Sequence, residues 1–180
     1  MVQITDAETV VKKPSITTAN CDNTTTETAV MTVVIPEGTW LNGEEVTASL
    51  ISKHKQGAGS SRTLTIKIKL NGSSETLLSG SSITSSAQEG NSRRTFGFTR
   101  IGSEVWCYLN AINHGDLGGT TAVGAAGVGT ISYGTSSTVG KIWTAVDFTS
   151  DITITYTIQW GAAANANTYW RPVSATCFKK

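Results

Sequence analysis

The chain has 180 residues, a formal net charge of +1 and only 15% charged residues. That length holds one sizeable core. The low charge gives no field that would gather nucleic acid, and no apolar run approaches the ~20 residues of a membrane-spanning helix. Three cysteines, Cys21, Cys107 and Cys177, are odd in number and widely spaced, so no disulfide framework is expected.

Residues 1–28 are polar and Thr-rich, with Pro14 and the cluster TTANCDNTTTET. They read as an extended N-terminal arm that orders only against something else. Within it Val2, Ile4, Val10, Val11, Pro14 and Ile16 are the residues able to grip a partner surface. The opening MVQITDAETVVKKPS has no basic start followed by an apolar block, so the expectation is assembly in a cytoplasm.

The body, residues 29–180, is a succession of strand candidates bounded by Gly, Asn, Ser or Pro. TAVMTVVIP is dense in β-branched residues and stops at Pro36. EEVTASLISKHK follows, with Val46, Ala48 and Leu50 on one face. RTLTIKIKL puts Leu64, Ile66, Ile68 and Leu70 on one side and breaks at Asn71-Gly72, a hairpin signal. ETLLSG, RRTFGFTRI, EVWCYLNAI and GKIWTAVDFT come next. In DITITYTIQW the alternation is clean, with Ile152, Ile154, Tyr156, Ile158 and Trp160 inward and Thr153, Thr155, Thr157 and Gln159 outward. WRPVSATCFKK closes the chain. No window carries helical periodicity. The reading is all-β: a two-sheet antiparallel sandwich, with jelly-roll connectivity expected. Asn113 to Gly140 is rich in Gly, Ala, Ser and Thr and reads as a long loop, either a surface excursion or a segment packing on a neighbouring copy.

Chemistry is hard to find. His54 and His114 are the two imidazoles, and His114 with Asp116 falls short of the three or four ligands a metal needs. There is no G-x-S-x-G elbow and no phosphate loop. Glu44-Glu45 and Asp147 with Asp151 read as turn and capping acids. No catalytic residue, metal or cofactor is expected. The five tryptophans divide between core, interface and sugar platform, core or interface being favoured. Trp40, Tyr169 and Trp170, at predicted turns, are the candidate glycan contacts.

Three segments carry a resemblance: TTETAVMTVVIPEGTW through ETLLSG, RRTFGFTRIGSEVWCYLN, and TSDITITYTIQWGAAANANTYWRPVSATCFK. With Ile35-Pro36, Gly43, Leu64 to Gly72, Phe96 to Arg100 and Ile152 to Asn167 at the pattern positions, residues 25–180 resemble bacteriophage virion proteins with jelly-roll domains. The resemblance implies a virion structural protein. Capsid cement or decoration is the first expectation, gripping the major capsid protein through the arm, as a homotrimer. A tail-fibre or receptor-binding module that touches host glycans is the alternative. Nucleic acid and membrane are not expected partners.

Overall fold

In a computed structural model the described residues are 13–55, 62–83, 90–113, 131–132, 140–162 and 168–180. All regular structure among them is strand. The elements are β1 (Ser15–Thr18), β2 (Cys21–Asp22), β3 (Thr28–Ile35), β4 (Glu45–Lys55), β5 (Arg62–Leu70) and β6 (Ser73–Ile83). They continue with β7 (Gly90–Ile101), β8 (Glu104–Asn113), β9 (Ile131–Ser132), β10 (Gly140–Trp143), β11 (Ile152–Trp160) and β12 (Tyr169–Lys179). One sheet runs β1-β3-β11-β5-β6-β9, the other β10-β8-β7-β4-β12-β2, and every pairing is antiparallel.

The core lies where the sequence alternates. Leu64, Ile66, Ile68 and Leu70 of β5 and Ile152, Ile154, Tyr156, Ile158 and Trp160 of β11 are buried against Val46, Ala48, Leu50, Phe96 and Phe98 of the facing sheet. Asn71 and Gly72 both take positive φ and close the β5–β6 hairpin. That is the twist-matched two-residue turn an Asn-Gly pair favours. Asn71 also accepts, through Oδ1, the N–H of Thr153, which ties the turn to β11.

Two irregularities follow from local chemistry. Tyr156 pairs with Met31 while Thr157 pairs with Ala29, which leaves Val30 as an extra residue, so Val30 and Met31 are both buried. In β12 the register slips between Pro172 and Ser174. Proline has no N–H to give the ladder, and Val173 stands out into solvent there.

The two-sheet antiparallel sandwich is as expected, and jelly-roll connectivity is not confirmed, since β5–β6 and β7–β8 each stay within one sheet as hairpins. One expectation is corrected. The arm is not free from Ser15 onward. β1 pairs with β3, and β2 pairs with β12 in the other sheet. Ile16 packs on the core, Cys21 is fully buried, and Asp22 takes a two-pronged ion pair from Arg171 at 2.9 Å on each arm. A short run of Thr and Asn thus stitches one edge of the sandwich shut. Pro14 immediately precedes this edge. Val2, Ile4, Val10 and Val11 lie outside the described residues, as does most of the 113–140 segment.

The two ends of the sandwich differ. At one end Trp40 meets Phe148 edge-on at 5.8 Å, the Arg100 guanidinium lies 3.8 Å over Phe148, and Trp40 donates its indole N–H to Glu44 O. At the other end β4, β6, β8 and β11 finish and β5, β7 and β12 begin. Buried polar residues gather there: Ser52, His54, Arg94 and Thr168.

Candidate functional site: the outer face around Trp106

The tryptophans sort themselves by strand parity. Trp40 is 2% exposed, Trp170 0%, and Trp143 and Trp160 are also in the core, whereas Trp106 is 42% exposed. Tyr169 is buried too. The expected glycan contacts Trp40, Tyr169 and Trp170 therefore have little ring surface to offer, and this corrects that expectation. Trp40 is not a turn tip but the plug of one end. Trp170 is the second residue of β12 and points inward, stacked on His54 at 4.9 Å.

Trp106 faces out because its neighbours face in. Val105 and Cys107 of β8 are buried, so Trp106 and Tyr108 share the opposite side. The cross-strand registers then lay out two rows. Ile142, Trp106, Thr99 and Glu45 form one; Gly140, Tyr108, Gly97, Thr47 and Phe178 form the next. The signal for this was present in EVWCYLN, where the small thiol of Cys107 fixes the inward parity.

Hydrogen bonds hold both rings. Trp106 donates Nε1–H to Glu104 Oε2 at 2.8 Å, and the Tyr108 hydroxyl donates to Glu45 Oε2 at 2.6 Å. Thr47 donates to the other Glu45 oxygen at 2.7 Å. Those two bonds, Tyr108 first, hold the Glu45 carboxyl below the usual carboxylate range. The Tyr108 ring lies on Gly97: a Cβ there would stand 2.5 Å from Tyr108 Cζ. Glycine is the residue that lets the ring lie down on the sheet. The result is a shallow depression lined by Trp106, Cys107, Tyr108, Lys141 and Ile142, with Ile101 exposed diagonally across from Trp106.

Other polar groups are occupied in local structure. Glu44 accepts from the Leu41 N–H and pairs with Lys179, and both bonds lower its pKa, the backbone one most. Asp147 accepts from the hydroxyl and the N–H of Thr149, which lower its pKa in that order. Burial raises the Cys107 thiol to about 12, so on the inner side of β8, behind the depression, it packs as a neutral apolar group. Among the described residues no three His, Cys, Asp or Glu side chains come together as metal ligands. His114 and Asp116 lie outside the described residues.

No protein-family profile and no curated protein sequence matches this chain. Among solved structures it is similar to the CBM2 module of the evolved Dit of Lactobacillus casei BL23 phage J-1, at 12% identity and a TM-score of 0.29. That likeness covers 83% of this chain and 69% of the phage module. A superposition that loose fixes neither fold family nor ligand.

Proposed function

We propose that this chain is a non-catalytic adhesion domain of a bacteriophage particle that holds a host-surface glycan on the Trp106 face. The observation that carries the reading is the ring of Trp106, 42% exposed and tied at its nitrogen to Glu104 on a rigid sheet. A sugar presents an apolar C–H face and a rim of hydroxyls. A flat indole suits the face, and flanking carboxylates and the Tyr108 hydroxyl suit the rim. Because the rings are pinned before binding, little side-chain entropy is lost on contact. The placement in a virion rests on the sequence resemblance. The non-catalytic reading rests on the sequence, which carries no nucleophile elbow and no phosphate loop.

The test is a glycan array probed with the wild-type chain and with Trp106→Ala. Binding of a host-surface glycan that weakens at least tenfold in the variant is the expected result. Equal binding by Trp106→Ala overturns the site, and no glycan bound at any density overturns the reading.

A second reading is favoured by the strip Ile101, Trp106 and Ile142, which runs apolar to the short edge strand β10. On that reading the same face docks on the major capsid protein and the chain is a cement protein, as a homotrimer. Copy number per particle separates the two: hundreds of copies fit cement, a few fit a tail. Co-sedimentation with shells lacking the chain, abolished by Ile142→Asp, would carry the cement reading.

A further inference from the structure

Arg94 of β7 points into the sandwich with Phe96 and Phe98, and is 1% exposed. Its Nε and Nη2 have no hydrogen-bond partner among the described residues. The same is true of the Tyr156 hydroxyl and the Trp170 indole nitrogen. These three residues are neighbours. The guanidinium carbon lies 5.6 Å from the centre of the Trp170 ring, and the charge of Arg94 acts directly on Tyr156. Burial raises the Tyr156 phenol to about 12, Arg94 offsetting part of that rise, so the hydroxyl stays a neutral donor. The group is one positive charge and a set of N–H and O–H donors with no acceptor found for them among the described residues.

An unpaired buried charge costs several kcal/mol, and each unmade buried hydrogen bond adds to that. Water is a poor remedy, since it needs acceptors for its own two protons and leaves the charge in place. An anion meets both needs. We propose that the interior of the sandwich beneath the β4, β8 and β11 ends is a site for a small inorganic anion of the halide class, held by Arg94, Tyr156 and Trp170. The chemistry asks for a single charge, acceptor capacity on all sides and little size. A divalent oxyanion would bring excess charge into an apolar core.

The site predicts stability that depends on anion identity rather than on ionic strength. At fixed pH and ionic strength, chloride replaces gluconate, an anion too large to enter. The thermal midpoint should climb by roughly 5–10 °C once chloride reaches about a hundred times its dissociation constant. Arg94→Met removes the charge with similar volume, and its midpoint should not move with chloride. Crystals grown in bromide should give an anomalous peak beside the guanidinium. Should Arg94→Met fail to fold, the bromide map of the wild type decides alone. A midpoint indifferent to chloride in the wild type, or a bromide map empty at Arg94, overturns the site. The competing source of negative charge is Glu75, which stands opposite Ile68 in the β5–β6 ladder. If Glu75→Gln destabilises the chain while chloride does nothing, the carboxylate is the partner and the anion proposal fails.

Discussion

Gly97 carries more of the outer face than its size suggests. The Tyr108 ring rests where a side chain at 97 would be, and from there its hydroxyl reaches Glu45 at 2.6 Å. Gly97→Ala places a methyl 2.5 Å from Tyr108 Cζ, so the ring must lift. Lifting it strains the packing and breaks the bond to Glu45. The expected cost is about 1–3 kcal/mol in denaturant unfolding. If the midpoint moves by less than a few tenths of a kcal/mol, the ring was not held there. Nothing in RRTFGFTRI marks this role, because the partner ring belongs to the neighbouring strand and the pair exists only once β7 and β8 are in register. The same limit explains the tryptophans. Their chemistry was legible, but which face each took depended on strand phase. For Trp106 that phase was set by the adjacent Val105 and Cys107. For Trp40 it was set by Phe148, more than a hundred positions away.

At the scale of elements, the strands with long clean alternation were readable. β5 and β11 run where the pattern put them, and Asn71-Gly72 closes its hairpin because the residue types demand positive φ. What alternation leaves open is which strand lies beside which. The order β3-β11-β5 joins segments distant in sequence, and that choice is made by packing across the two sheets. The N-terminal edge escaped notice for a related reason. β1 and β2 have four and two residues, too few to show a period; β1 is held by the nearby β3, and β2 by β12 at the far end of the chain. Their place in the sandwich changes what truncation should do. The chain that begins at Lys13 is the reference for this test. Deleting 1–22 strips two edge strands, opens the wall that Cys21 and Ile16 complete, and breaks the Asp22–Arg171 fork. A loss of several kcal/mol is expected, on the scale of emptying two buried side-chain sites. Equal midpoints for the two chains would show that the edge is ornamental.

The whole molecule has few charges, and the described acids whose pKa values move all move the same way. Glu27 is the strongest case. Partial burial pushes its carboxyl up, but hydrogen bonds from Lys67 at 2.8 Å and from Lys69 outweigh that and bring it from 4.5 to about 2. Glu44, Glu45 and Asp147 are lowered as well. A carboxyl whose folded pKa lies below its unfolded value stabilises the fold at pH above the unfolded value. That stability drains away as pH falls through the interval between the two. The carboxylates should therefore hold the fold steady from neutral pH down to about pH 5 and release it progressively towards pH 2. Glu27 sits between β3 and β5-facing lysines and spans the strand β11 that separates them, so it is worth more than a rim charge. Allowing for solvent screening, its share is about 1–2 kcal/mol. Glu27→Gln should lower the urea midpoint at pH 7, and the gap should narrow as pH falls from about 5 and close only below about pH 2, where the folded wild type also takes up its proton. Parallel curves across the whole range would show that the lysine pair does not act through charge. The few acids are thus tied down by lysines, hydroxyls and backbone N–H groups where they fix geometry, Glu45 doing so on the outer face itself by anchoring the Tyr108 ring.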